Sequence, residues 1–174
     1  MVTGRLRDNG IERNMALESL RYALWPFMRP LMHFYWRFAR GATLGTRAMV
    51  IDGHGRVFLI KHSYMAGWHL PGGGVETGET FAAAMARELL EEGNIKLAGE
   101  PKLHGVFFNN RVSRRDHVAM FIVRDFVQDK PPEPNYEIVA HGFFALDALP
   151  ADTSRATRAR IAEVFDGVPV SEVW

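Results

Sequence analysis

The stretch that decides the fold is Gly73-Gly74-Val75-Glu76-Thr77-Gly78-Glu79, followed after seven residues by Arg87-Glu88-Leu89-Leu90-Glu91-Glu92-Gly93-Asn94-Ile95. It places Glu88, Glu91 and Glu92 at helical offsets i, i+3 and i+4, so a helix presents all three carboxylates on one face. Like charges at this spacing destabilise a helix unless a cation lies between them. Carboxylate oxygens without a neighbouring Cys or His indicate Mg²⁺ or Mn²⁺ rather than zinc. The pattern predicts a divalent metal site facing a phosphate.

This stretch resembles the signature of the Nudix hydrolases, G-x5-E-x7-R-E-U-x-E-E-x-G-U, where U is an aliphatic residue. The one departure is Asn94, where the family has glycine. We expect a left-handed backbone at this position, which Asn tolerates better than any residue except Gly. Asn94 is therefore interpreted as a helix cap in an intact motif. The residues that match the signature are Gly73, Glu79, Arg87, Glu88, Leu89, Glu91, Glu92 and Ile95.

The resemblance implies an α/β fold, an α/β/α sandwich with a central mixed sheet. It also implies a Mg²⁺- or Mn²⁺-dependent hydrolase that cleaves the diphosphate bond of a nucleoside diphosphate linked to another group. Glu91 and Glu92 would then be metal ligands, and the carbonyl of Gly73 would complete the metal shell. Glu88 would be either a further ligand or the group that orients the attacking water.

Two more residues of the signature are expected to support the site. Arg87 precedes Glu91 by four residues, which allows an ion pair along the helix. Glu79 lies at the turn into the helix, where it can bond Arg87 or favour the helix N-terminus by its charge. The glycines Gly72–Gly74 allow the backbone to approach a metal or phosphate closely, although a simple tight turn would also use them.

Outside the signature, the candidates are a loop acid and a group of arginines. Members of the family often recruit one more acid from a later loop, and Glu137 is the candidate here. An exposed surface charge is the alternative interpretation of Glu137. Arg111, Arg114 and Arg115 occupy a predicted turn between two strands, where they could bind substrate phosphates or form a solvated loop.

Composition restricts the remaining possibilities. The 174 residues are 47% apolar and 24% charged, with a formal net charge of +1. Such a chain can form a hydrophobic core, and its charge gives no reason to expect a nucleic-acid partner. Zero cysteines exclude disulfides and thiolate chemistry within this sequence. Because Met1–Gly10 contains no apolar run, a cytoplasmic location is expected.

Local patterns predict the elements. Two strands, 47–51 and 56–60, flank the turn sequence Asp52-Gly53-His54-Gly55 and predict a β-hairpin. In the helix over 80–93, the side carrying Ala82, Ala86, Leu89 and Leu90 is expected to pack on the sheet, with the glutamates turned outward. Further strands are predicted at 104–109, 117–126 and 142–146, and a final helix at 154–165.

Residues 1–42 are predicted to form a helical extension before a Nudix domain at 43–174. Pro26 and Pro30 divide the extension into two helices. An apolar stripe of Leu31, Phe34, Tyr35 and Phe38 predicts packing on the domain or on a second copy, as in a homodimer, although contact with a membrane surface stays possible. Two other functions remain open, a non-catalytic nucleotide-binding or regulatory module and a membrane-associated interaction protein.

Overall fold

The computed structural model describes residues 41–133 and 136–174, together with Met28, Met32 and Tyr35. The chain divides into two units, Met1–Gly41 and Ala42–Trp174, and the following description concerns the second. Tyr35 of the N-terminal stripe is helical and exposed, whereas Leu31, Phe34 and Phe38 lie outside the described residues. The helical extension and its homodimer or membrane contacts therefore stay predictions. None of the described helices is both long and apolar enough to cross a bilayer.

The second unit contains eight strands, two α-helices and one 3-10 turn among its described residues. Each strand and helix predicted for this unit is present, with boundaries shifted by at most four residues. The elements are β1 (Thr43–Val50), β2 (Val57–His62), β3 (Trp68–His69), α1 (Phe81–Gly93), β4 (Lys96–Leu97), β5 (Lys102–Phe108), β6 (Asp116–Val123), β7 (Phe126–Val127), β8 (Ile138–Phe144), the 3-10 turn (Leu146–Ala148) and α2 (Arg155–Phe165).

The strands form a mixed arrangement. One sheet has the order β1-β6-β5, in which β1 runs parallel to β6 and β5 runs antiparallel to it. A second sheet has the order β3-β2-β8 and is antiparallel, and β4 pairs with β7. The predicted central mixed sheet is thus present as two three-stranded sheets joined where β1 passes into β2.

The predicted hairpin between the first two strands is wrong. The turn itself forms, since Gly55 N donates to Asp52 O at 3.0 Å. Only one bridge, Ile51 with Val57, then connects β1 to β2. The strands separate because each pairs with a more distant partner, β1 with β6 and β2 with β8. A local turn signal does not contain that information.

The two helices cover opposite faces of the strands. Along β1, Ala48 and Val50 pack with residues of α1, while Met49 and Ile51 pack on the other side with Ile161 of α2. Alternation of this kind is expected for a strand that is buried on both faces. The architecture is therefore an α/β/α sandwich, as predicted, and α1 packs against β1.

Candidate active site

The glycine-rich loop runs alongside the first strand. Thr46 N donates to Gly73 O at 2.9 Å, and Ala48 N donates to Pro71 O at 2.9 Å. Val75 N donates to Leu44 O at 2.8 Å further along the same edge. These backbone bonds hold the loop extended beside β1, so it presents a fixed surface to helix α1.

At two of the three glycines a Cβ would lie less than 3 Å from another atom. Gly72 has φ of +138°, and a Cβ there would lie 2.2 Å from Thr46 O. A Cβ on Gly73 would lie 2.3 Å from Oε1 of Glu88. At Gly74 a Cβ would meet no atom within 4 Å. The glycines at 72 and 73 therefore allow strand, loop and helix to come together, which the tight-turn interpretation does not explain.

Helix α1 begins within one residue of the predicted start, and it is capped by the side chain of Thr80, which accepts from Ala83 N at 3.1 Å. It ends at Asn94, whose φ of 49° and ψ of 35° are left-handed as predicted. The Nδ2 of Asn94 also donates to Lys130 O at 3.0 Å. Asn94 thus ends the helix and attaches it to a loop 36 residues further along the chain.

The face of α1 that packs on the strands is the predicted one only in part. Leu89 is buried as predicted, but Ala82 and Leu90 are exposed and Met85 is buried instead. Glu92 is also buried, with 6% of its surface exposed. The expectation that all the glutamates turn outward is therefore wrong, because the buried face includes one of them.

Arg87 binds the carboxylates of the exposed half of the site. Its Nε and Nη2 donate to the two carboxylate oxygens of Glu79 at 3.0 and 3.1 Å. Its Nη1 donates to Glu88 Oε1 at 2.7 Å and to Glu91 Oε2 at 3.4 Å, and Nη2 also reaches Gly74 O at 3.0 Å. The hydrogen bonds to Glu79, and secondarily to Glu88, raise the pKa of Arg87. In this structure Arg87 is thus the cation that separates Glu88 from Glu91.

Glu92 occupies a different environment from the other glutamates of the helix. Its Oε2 accepts from Gly72 N at 2.6 Å. The guanidinium of Arg47 donates to Gly72 O from the same side, and burial lowers its pKa. Burial raises the pKa of Glu92 to about 8, and the bond from Gly72 and the charge of Arg47 oppose this shift only in part.

The structure also brings Glu137 to Glu92, together with a histidine that sequence reasoning missed. Donor atoms of His62, Glu92 and Glu137 all lie within 4.8 Å of one another. Glu137 accepts from the hydroxyl of Tyr64 at 3.0 Å. His62 is the last residue of β2, after four apolar residues and Lys61, and a histidine in that position gives no motif. Its sequence signal is limited to its place at the end of a buried strand.

These distances divide the predicted ligands into two groups. Glu92 and Glu137 converge with His62, while Glu88 and Glu91 contact Arg87. The Gly73 carbonyl accepts from Thr46 N and retains a second lone pair for a cation.

A family model for the NUDIX domain matches residues 42–165. The chain belongs to the NUDIX domain family. The match covers the strands, both α-helices and every Nudix signature residue described above.

Individual Nudix relatives agree with this assignment. An RNA pyrophosphohydrolase of Vibrio atlanticus (strain LGP32) is 40% identical over 52 residues, which are 30% of this chain and 30% of that protein. Diphosphoinositol polyphosphate phosphohydrolase 2 of Rattus norvegicus is 36% identical over 94 residues, 53% of this chain and 52% of that protein. The chain thus spans about half or less of the length of these curated relatives.

Among solved structures, the MutT NUDIX hydrolase from Burkholderia pseudomallei is 29% identical, with a TM-score of 0.61. The similarity covers 71% of this chain and 98% of that one.

A cavity opens beside the glycines of the Nudix signature, with a volume of about 290 Å³. Asp116 lies in its wall, where it accepts from Asn109 Nδ2 at 2.8 Å and from Thr43 Oγ1 at 2.6 Å. Arg47 and Trp174 complete the polar and aromatic lining.

The predicted arginines lie in the turn between β5 and β6, and all three are exposed. Arg111 lines a separate cavity against α2, and none of the predicted metal ligands lines that cavity. The turn is present as predicted, whereas contact between these arginines and a substrate stays a prediction.

Proposed function

We propose that this chain is a metal-dependent hydrolase that cleaves the diphosphate bond of a nucleoside diphosphate linked to another group. The observation that carries the proposal is the junction of loop and helix. Glu92 accepts from Gly72 N, and Arg87 donates to Gly74 O. These two bonds hold the carboxylates of the helix against a loop whose backbone carbonyls could also bind a cation.

The residues present fit a hard divalent cation. The donors proposed for it are all oxygens, from Glu88, Glu91, Glu92 and Glu137 and from the carbonyl of Gly73, as Mg²⁺ and Mn²⁺ prefer. The missing Cβ at Gly73 leaves the Glu88 carboxylate directly against the loop. Such a cation would neutralise phosphate charge and lower the pKa of a bound water.

The chain's own residues would divide the remaining tasks. Glu88 is fixed by Arg87 at 2.7 Å, so it can serve as a further ligand or accept a hydrogen bond from the attacking water. Arg87 and Glu79 act as positioning residues, because their two parallel hydrogen bonds fix the guanidinium plane. Glu92 and Glu137 would offer carboxylate oxygens to the cation from the part of the site beside His62.

The names of the relatives support a substrate that contains a phosphoanhydride. Their names include an RNA pyrophosphohydrolase and a diphosphoinositol polyphosphate phosphohydrolase. These names have in common a phosphoanhydride joined to a larger group. The cavity beside Gly73 and Gly74 offers polar groups and Trp174 for that larger group, while Arg111, Arg114 and Arg115 could bind distal phosphates.

A screen of nucleoside diphosphate compounds with Mg²⁺ and Mn²⁺, followed by product mass, tests this function. Glu91→Gln and Glu92→Gln should each lower turnover about 100-fold, because each removes one charge from the metal site. Glu100→Gln, an exposed acid outside the signature, is the control and should retain turnover. Tight nucleotide binding with no turnover under any metal would favour the non-catalytic module instead.

A further inference from the structure

His62 is a buried imidazole without a hydrogen-bond partner. It ends strand β2 with only 4% of its surface exposed. Neither Nδ1 nor Nε2 makes a hydrogen bond within the part of the chain that the structure describes. Buried polar groups in folded proteins are nearly always paired, because an unpaired one loses its water without compensation. An imidazole left in this state indicates that a binding partner is missing.

Two carboxylates face this imidazole. Nε2 of His62 lies 3.8 Å from Oε1 of Glu92. The other oxygen of Glu92 is already bonded to Gly72 N, which leaves Oε1 directed at the histidine. Glu137 supplies the third donor, and all three donor atoms lie within 4.8 Å of one another.

Backbone pairing holds Glu137 close to His62. Strand β8 pairs with β2 so that His62 lies opposite Ile138, beside an irregularity in the register. Ser63 N then donates to Glu137 O at 2.9 Å. Glu137 is exposed, and its Oε1 accepts from the Tyr64 hydroxyl at 3.0 Å, so both backbone and side-chain bonds hold its carboxylate near His62.

The distance between Nε2 of His62 and Oε1 of Glu92 suits a metal ion bound between them better than a direct hydrogen bond. Zinc bonds of about 2.1 Å in tetrahedral geometry place ligand atoms about 3.4 Å apart. The separation of 3.8 Å between His62 and Glu92 exceeds a hydrogen bond but needs only a small closure to reach that value. Arg47 is the opposing positive charge, while Glu88 adds a further negative charge nearby.

We propose that His62, Glu92 and Glu137 together bind a divalent transition-metal ion, with a preference for Zn²⁺ or Co²⁺ over Mg²⁺. The site shares Glu92 and Glu137 with the ligands proposed for hydrolysis and adds a nitrogen donor. Imidazole nitrogen favours transition metals, whereas Mg²⁺ prefers oxygen ligands alone. The proposal concerns binding, and it stands or falls separately from hydrolysis.

Titration of the full-length, metal-free protein with Co²⁺, followed by visible absorption and calorimetry, tests the site directly. The wild type should bind Co²⁺ more tightly than Mg²⁺. His62→Gln should weaken Co²⁺ binding about tenfold or more and change Mg²⁺ binding much less. The matched control is His69→Gln, because the His69 ring lies 6.2 Å from that of His62 and bonds Ala66 O instead.

Glu137→Gln serves as a second variant, since an exposed side chain can be changed without disturbing the core. It should also weaken Co²⁺ binding while His62 stays in place. Equal Co²⁺ affinity in His62→Gln and wild type, or no preference of the wild type for Co²⁺, would overturn the proposal. The proposal would be supported if His62→Gln lost the preference for Co²⁺ over Mg²⁺ but retained Mg²⁺-dependent hydrolysis. If hydrolysis is absent but Co²⁺ binding depends on His62, only the proposed function fails.

Discussion

Glu92 and Gly72 are joined by a hydrogen bond of 2.6 Å between residues 20 positions apart. The bond runs from the loop amide to a carboxylate that is almost completely buried. A carboxylate in such a place must be neutralised by a proton or by a cation, because the isolated charge is costly to bury. The same contact therefore fixes the loop against the helix at a carboxyl group whose charge a proton or a cation must neutralise.

In the metal-free protein, stability should fall as the pH rises from about 5 to about 8. Burial raises the pKa of Glu92 to about 8, against 4.5 ordinarily. Between these values the native state keeps a proton that the unfolded chain has released. The free energy of unfolding therefore decreases with pH across that window. Urea unfolding in a chelator, at several pH values, measures the slope.

Glu92→Gln is the control for this pH dependence of stability, because the glutamine side chain cannot lose a proton. His62, Arg47, Glu88 and Glu137 face the site in both proteins, so their own contributions largely cancel in the difference. The variant should lose less stability between pH 5 and 8 than the wild type. Parallel slopes in the two proteins would show that Glu92 is ionised throughout this range.

Gly73→Ala should impair hydrolysis, whereas Gly74→Ala should not. The new Cβ at residue 73 would lie 2.3 Å from Oε1 of Glu88 and displace it, but at residue 74 it would meet nothing within 4 Å. Displacement of a positioned group by about 1 Å can lower turnover about 100-fold. Steady-state kinetics on both variants, with melting temperatures to confirm folding, measure the difference. Equal activities would mean that the position of Glu88 does not matter.

Local signals in the sequence were enough to predict helix α1 and its two ends. Thr80 and Asn94 act through their own backbone neighbourhood, so spacing and residue type identify them. The orientation of the helix was predicted only in part, since Leu89 is buried as expected but its neighbours are not all on the expected side. The periodicity of apolar residues placed Leu90 inside and Glu92 outside, and the structure reverses both.

The reversal has a long-range cause. Glu92 is buried because Gly72 N meets it, and that contact depends on how the loop lies along β1. The prediction of a hairpin is wrong for the same reason, since β1 pairs with β6, more than sixty residues further along the chain. His62 was missed because its significance depends on Glu92 and Glu137, which only the tertiary fold brings together.

Arg87→Lys should lower kcat about tenfold and change KM less. The guanidinium bonds Glu79 through two nitrogens and also reaches Glu88. A lysine ammonium cannot reproduce that planar fork, so the proposed position of Glu88 is lost while substrate contacts remain. The matched control is Arg56→Lys, whose exposed ion pair with Asp52 should matter little. Unchanged kcat in Arg87→Lys would show that charge alone, without the fork, positions the site.

Asn94→Gly should change stability by less than about 1 kcal/mol, whereas Asn94→Ala should destabilise the protein by about 1–2 kcal/mol. Glycine adopts the left-handed conformation at no steric cost. The sequence alone therefore predicted a neutral or slightly stabilising effect for Asn94→Gly. The structure adds the bond from Nδ2 to Lys130 O, and its loss, about 1 kcal/mol, offsets the gain. Alanine loses that bond and also resists the left-handed backbone.

Urea unfolding of both variants measures these differences, with Asn110→Ala in an exposed turn as the control. Among the described residues other than glycine, Asn94 is the one with positive φ, so the conformational penalty should not arise at residue 110. If Asn94→Ala were as stable as the wild type, the end of α1 would tolerate another conformation. A large loss in Asn94→Gly would instead show that the bond to Lys130 O, rather than the backbone conformation, is what Asn94 contributes.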